Sequence, residues 1–308
     1  MERLVLPVLT PAAADTVAHL VADGRFDVVA VAIDLGQTRV LDGVRDAALL
    51  AGARRCHVVD RRDTLAEAVL WPALRAGAIA VPGPPILSAL SLPVVADAVA
   101  EMARYEDATA VAAWADDPLD RQRLRGLLRA AAPGLGVVSV PQGPTGPARN
   151  LWASVRTLET AATPAPGRVA RSGAATLRVG FERGVPVSLN GVNGSPVELI
   201  DSLATIAADH GVGPWTVRDS ASGTAWEVEA PAVQVLHQAM QALVASVADG
   251  PTNELLATLA PAYATLVRDG AWHSPARAGI DACIDRVLAH ADGDITLHIS
   301  DGRIEGDA

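Results

Sequence analysis

Lysine is absent from this chain: all 25 of its basic residues are arginine. That excludes a Schiff-base lysine, a phosphate-loop lysine and a lysine general base. Cysteine is scarce, with only Cys56 and Cys283, far apart and outside any C-x-x-C spacing. Two buried, reduced thiols are expected, and no disulfide framework. The seven histidines form no H-E-x-x-H or similar ligand spacing, so no metal site is expected. No apolar run reaches the roughly 18 residues that span a bilayer, and no basic-then-apolar leader opens the chain. A cytoplasmic chain without a membrane partner is expected. With no basic cluster and a net charge of −10, nucleic acid is not an expected partner either.

What is present is apolar and ordered. Half of the 308 residues are hydrophobic and 19% are charged, a globular balance with ample core for one large or two medium domains. Over the first 142 residues, short valine-rich runs alternate with stretches of helical spacing. Val5–Leu9, Asp27–Ile33, His57–Asp60, Ala108–Trp114 and Val137–Pro141 read as strands. Ala12–Ala22, Val40–Ala53, Thr64–Ala76, Ala89–Tyr105 and Leu119–Ala131 read as helices. Strands apolar throughout and separated by such helices predict a doubly wound parallel α/β sheet, with ligands beyond the strands' carboxyl ends.

The pattern breaks after residue 142. Residues 143–174 are linker-like, with "LWASVRTLE" expected as a short helical piece. From 175 to 308 a smaller α+β domain is predicted. It has strands at Thr176–Glu182 and Val185–Leu189 and helices at Pro196–Asp209, Pro231–Val247, Asn253–Arg268 and Pro275–Ala291. The terminal "ITLHISDGRIEG" carries the Asp301–Gly302 signal of a tight hairpin turn.

The stretch "LPVLTPAAADTVAHL" poses the functional question, because a strand feeds a helix there. A phosphate-gripping turn needs glycine, so that backbone N–H groups can approach anionic oxygens. This turn has Pro11 and three alanines, and Thr10–Pro11 reads instead as an N-cap and first-turn proline of a plain helix.

Taken in order, "FDVVAVAIDLGQ", "VRDAALLAGARRCHVVD", "LWPALRAGAIA", "GVPVSLNG", "SPVELIDSLATIAADHGVG", "EAPAVQVLHQAMQAL" and "LAPAYATLVRDGAWHSP" resemble the argininosuccinate synthase family. The resemblance covers nearly the whole chain, with a shortened middle. It implies a nucleotide-binding domain of the ATP-pyrophosphatase (adenine nucleotide alpha hydrolase-like, Rossmann-like) type, then a substrate and multimerisation domain. Such enzymes adenylylate the ureido oxygen of citrulline with ATP and magnesium, and the amine of aspartate then displaces AMP. The family's S-G-G-L-D-T-S loop aligns with Pro11–Val17, where only Asp15 and Thr16 match. Losing three charge-assisted hydrogen bonds there would cost on the order of 5 kcal/mol. The family's G-C-T-G-K-G-N-D-Q aligns with Trp114–Gln122, where only Gln122 matches and Asp120 replaces asparagine. Asp116, Asp117 and Asp120 read as a solvated helix cap rather than a magnesium cluster, and Arg121, Arg123 and Arg125 as a solvated surface.

On the citrulline side, "ILSALSLP" puts Leu92 at the family's arginine and Ser88 at its threonine. "NLWASV" puts Val155 at a serine, and "DSASGTAWEV" puts Asp219 at a glutamate and Val228 at a tyrosine. Scaffold positions survive best, among them Gly36–Gln37 and the "HGVG" turn, where His210 reads as a helix-end residue. The resemblance therefore implies a vestigial ATP site at Asp15, Thr16, Gly36 and Gln37 and a vestigial substrate site at Ser88, Asp120, Gln122 and Asp219. It implies no catalytic residue and no metal ligand. The leading expectation is a non-catalytic homologue, a pseudoenzyme serving as a binding, regulatory or assembly subunit with no cofactor. The alternatives are a diverged ATP- and magnesium-dependent ligase joining a carbonyl compound to an amine, and a sensor holding a small molecule in the cleft. Family members carry a C-terminal arm that helps hold a tetramer. This sequence ends soon after its hairpin, while the predicted helix Pro231–Val247 bears an apolar stripe of Val233, Leu236, Met240, Leu243 and Val244. A homodimer, or a heteromer with a paralogue, is expected in place of the tetramer.

Overall fold

A computed structural model describes residues 1–37, 41–115, 117–140, 148–158, 173–219 and 222–306. In chain order the first elements are β1 (Glu2–Val8), α1 (Ala13–Ala22), β2 (Phe26–Asp34), α2 (Leu41–Leu50), β3 (Arg55–Asp60) and α3 (Arg62–Leu65). A π-helical turn at Ala66–Leu70 leads into α4 (Trp71–Arg75). Then follow α5 (Leu92–Tyr105), β4 (Ala110–Ala113), α6 (Pro118–Ala131), β5 (Gly136–Ser139), β6 (Ala148–Arg149) and β7 (Ser154–Leu158). The remainder comprises β8 (Ala175–Glu182), β9 (Val185–Leu189), β10 (Val192–Asn193), α7 (Pro196–Asp209), β11 (Trp215–Arg218) and β12 (Ala225–Glu229). It closes with α8 (Pro231–Val247), α9 (Gly250–Arg268), α10 (Pro275–Val287), β13 (Gly293–Ser300) and β14 (Arg303–Gly306).

The chain divides into two compact units, each discontinuous in sequence. One comprises residues 1–65, 88–150 and 268–273, and the other residues 66–87, 151–267 and 274–308. The first holds the expected parallel sheet, in the order β3-β2-β1-β4-β5. The order reverses between β1 and β4, which is where ligands settle in open α/β sheets. Strand alternation sorts the core. Leu4, Leu6 and Val8 of β1 and Ala110 and Ala112 of β4 share one face with Ala13 and Val17 of α1. The β1–β2 ladder runs through Pro7 to Val8↔Ala32, whereas the β1–β4 ladder ends at Val5↔Val111. Pro7 has no N–H to extend the second ladder, so this seam opens toward its carboxyl end.

The second unit is built on antiparallel sheets, one in the order β10-β9-β8-β13-β14. Its hairpins turn at Arg183–Gly184 and Asp301–Gly302, both pairs with positive φ, as a two-residue turn matched to strand twist requires. The expected helix in "LWASVRTLE" is a correction: Ser154–Leu158 is a strand, paired antiparallel with β12 from Ala225↔Leu158 to Glu229↔Ser154. Val155 and Thr157 are β-branched, and Arg156 reaches Glu227 across the ladder at 2.7 Å, a pairing invisible to local periodicity. Strands β11 and β12, absent from the sequence reading, complete that sheet through Trp215↔Val228 to Arg218↔Ala225. Most of the expected linker, 143–147 and 159–172, lies outside the described residues, as do Val40 and Pro141.

The apolar stripe on α8 faces inward: Val233, Leu236, Met240 and Leu243 are buried within their own unit. Cys56 and Cys283 are free thiols, half-buried rather than buried. Both lie at partly accessible positions, and burial raises the Cys56 thiol above its ordinary value. Among the described residues, no helix is long and apolar enough to cross a membrane.

At the amino end of the parallel sheet sits Glu106, just past the C-terminus of α5, with its side chain 2% exposed. A carboxylate there opposes the helix dipole, so it persists only with cations around it. Arg55 donates to it at 3.1 Å, His57 Nε2 lies 2.7 Å from Oε1, and Arg3 Nη1 stands 3.6 Å away. Burial alone would push this carboxyl up, but the hydrogen bonds from His57 and Arg55 and their charges prevail and hold it below its ordinary 4.5. A carboxyl lowered on folding stabilises above that ordinary value and loses the contribution as pH falls through the native one. Glu106→Gln should therefore cost about 3 kcal/mol in urea unfolding at pH 7. The difference from the parent should shrink as pH drops below 4.5. An equal difference at both ends of that range would contradict the assignment.

Candidate functional site

The candidate site lies at the carboxyl ends of β1 and β4. The first turn there is closed by backbone: the N–H groups of Ala13 and Ala14 donate to the carbonyls of Thr10 and Pro11, both at 3.1 Å. Helix α1 starts at Ala13, with no side-chain cap. The expected Thr10 cap is thus a correction. The chain is already helical at Ala12, and the Thr10 hydroxyl is buried with no hydrogen-bond partner among the described residues. Of the two residues matching the family's phosphate loop, Asp15 is exposed while Thr16 is buried, so they do not share a face of α1. The turn presents no cluster of free N–H groups to an anion, since Pro11 has none and those of Ala13 and Ala14 are engaged.

Strand β4 continues its alternation past its last residue. Ala110, Ala112 and Trp114 all point to the α1 face, and the indole packs in the same core cluster as Val8, Ala13 and Val17. Trp114 is 1% exposed and its Nε1 finds no acceptor among the described residues. The resemblance puts glycine at this position. Where a bare backbone would leave room beside the β1–β4 seam, the largest side chain fills it.

Gly36 and Gln37 serve the same end of the sheet as scaffold. Gly36 turns the chain at φ 78°, and its N–H donates to Asp34 Oδ1 at 2.8 Å. Gln37 Oε1 accepts from the Leu35 N–H at 2.6 Å, and Nε2 donates to the Ile33 carbonyl at 2.6 Å and the Leu9 carbonyl at 3.5 Å. The amide thus ties the ends of β2 and β1 together, leaving little for a ligand.

Two of the predicted substrate residues do meet. Asp117 caps α6 as expected, accepting from the N–H groups of Leu119 and Asp120 at 2.7 and 3.1 Å. Asp120, read from sequence as part of a solvated cap, is instead 4% exposed, with the Ser88 hydroxyl near enough to lower its carboxyl. Arg123, read as solvated surface, is 9% exposed; its Nη1 donates to Asp120 Oδ1 at 2.7 Å and its Nε to the Arg268 carbonyl at 2.5 Å. Asp and Arg three apart share one helix face, and that spacing was the available signal. Burial raises the Asp120 carboxyl, against the lowering effect of Arg123 and Ser88. Gln122 is exposed on the same helix, turned away from this cluster, and Asp116 lies outside the described residues.

Asp219, in the second unit, pins the β11–β12 turn: Oδ2 accepts from the Ser222 N–H at 3.1 Å and its hydroxyl at 2.6 Å. The three positions where the resemblance replaces polar citrulline contacts are core. Leu92 is buried on α5, and Val228 and Val155 are buried cross-strand partners. His210 ends α7, as expected, with its ring Nδ1 3.0 Å from the Gly173 carbonyl.

Fold and site together define a HUP-type α/β unit joined to an antiparallel α+β unit. Residues 13–150 match the Arginosuccinate synthase N-terminal HUP domain, and residues 158–306 match the Arginosuccinate synthase C-terminal domain. Relatives include an argininosuccinate synthase of Desulfitobacterium hafniense, 26% identical over 90% of this chain and 80% of that protein. Those of Moorella thermoacetica and Dehalococcoides mccartyi are 27% and 29% identical, each over 90% of this chain and 78% of that protein. The chain belongs to the argininosuccinate synthase family.

The Asp120–Arg123 pair permits a direct check of its role. Breaking a buried pair from one side leaves a lone charge, whereas replacing both partners with apolar groups is often neutral. Asp120→Asn should lower unfolding stability by about 3 kcal/mol, and the double variant D120L/R123M should lie within about 1 kcal/mol of the parent. A double variant as unstable as the single one would show that the pair does more than neutralise itself.

Proposed function

We propose that this chain is a non-catalytic member of its family, a pseudoenzyme that keeps the scaffold and acts as a binding, regulatory or assembly subunit. One observation carries the reading: Trp114 is buried at the end of β4, in the core cluster that also holds Val8, Ala13 and Val17, where the family resemblance puts glycine. The residues around it do not fit ATP. Pro11 offers no N–H, the Ala13 and Ala14 amides are engaged, and Gln37 is committed to backbone. Such a subunit works through a partner, which we take to be a second copy or a paralogue.

The alternative is a diverged ATP-dependent ligase, and it draws on the meeting of Ser88 with Asp120. Against it, the Arg123 guanidinium already occupies the carboxylate there, and Leu92, Val155 and Val228 are apolar core. Incubation with ATP, magnesium, citrulline and aspartate separates the two. Mass spectrometry should find no argininosuccinate above a no-protein control. Product together with an equal amount of pyrophosphate would establish the ligase.

A further inference from the structure

The second unit contains an open pocket of about 490 Å³ between α4 with its following turn, α8 and α9. The volume lies within the range of small-molecule sites, and the walls are mostly apolar, as such sites are. Leu74, Met240, Val244 and Leu256 supply much of that surface. Charge is distributed unevenly. The chain holds 35 acidic residues, yet no carboxylate lines this pocket among the described residues, and the one formal charge on its wall is Arg75.

Arg75 has donor capacity to offer. Its side chain is 11% exposed on the pocket wall, and Nη1 donates to Asp285 at 2.6 Å. A guanidinium carries five N–H donors, so a second acceptor can be accommodated beside Asp285. His237 and Gln241 add polar atoms on the α8 wall. Burial lowers the His237 ring below its ordinary 6.5, so at neutral pH it adds hydrogen-bonding capacity without a competing charge.

We propose that this pocket binds a small monocarboxylate with an unbranched aliphatic body, its carboxylate on Arg75 and its chain against Leu74, Met240, Val244 and Leu256. The site stands independently of the catalytic question, since every lining residue belongs to the second unit.

Calorimetric titration of the full chain with octanoate tests it, with octylamine and octanol as comparators of the same chain length. Octanoate should bind saturably at one site, with a dissociation constant of about 0.1–1 mM. The amine and the alcohol should bind at least about tenfold more weakly, because they lack the charge that matches a guanidinium. Ala257 and Ala245 line the pocket at exposed positions, so tryptophan there should fill it without entering the core. A257W and A245W should each weaken octanoate by about tenfold or more, with far-UV circular dichroism unchanged. Equal binding of octylamine would overturn the proposal. So would octanoate binding retained by both variants, or absence of octanoate binding from the parent chain, whether that chain is monomeric or is dimeric by light scattering and becomes monomeric in A257W. The dimeric outcome would assign the pocket to a second copy.

Discussion

A parallel sheet can hold a nucleotide only if backbone at the carboxyl ends of its central strands is left bare, and here Trp114 is buried at the end of β4. Pro7 ends the β1–β4 ladder early, at Val5↔Val111, and beyond it Ala112 and Trp114 face the α1 side. Packing density leaves no room for a ring and a ligand in one volume. The adjoining changes agree with a filled seam: α1 is closed by backbone carbonyls, and Gln37 ties β1 to β2. Two polar atoms, Thr10 Oγ1 and Trp114 Nε1, find no hydrogen-bond partner among the described residues at this point, at a cost of about 1–3 kcal/mol each.

Arginine does the polar work of a chain without lysine. Its planar fork can serve a carboxylate and a backbone carbonyl together, which a compact ammonium on a flexible stem does less well. Arg123 joins Asp120 to the Arg268 carbonyl, and Arg3 reaches both the Glu106 carboxylate and the Glu106 carbonyl. Both buried carboxylates are thereby held inside the first unit at opposite ends of the sheet. Their pKa values move in opposite directions, because Glu106 gathers more cations than burial can outweigh and Asp120 does not.

Much of this was legible in the sequence, for identifiable reasons. The five parallel strands and most helices follow from continuous valine runs and helical spacing, and Pro196, Pro231 and Pro275 mark helix starts that the structure keeps. Asp117 as a cap and His210 as a helix end were readable from local chemistry. What local reading misses is contact between distant segments. Strand β7 looks helical until its partner β12 is known, and Arg123 looks solvated until Asp120 and the Arg268 carbonyl close over it. The glycine-to-tryptophan exchange was visible at Trp114, but the direction of its ring depends on the pleat of β4. The pocket beside Arg75 joins residues 74–82 to the α8–α9 pair, remote in sequence, and leaves no local pattern.

Calorimetric titration of the chain with ATP and magnesium tests the filled seam most directly. With the indole in place and the turn amides engaged, no saturable heat should appear below about 1 mM ATP. A saturable dissociation constant in the micromolar range would mean that the nucleotide finds room beside Trp114, and would contradict the account.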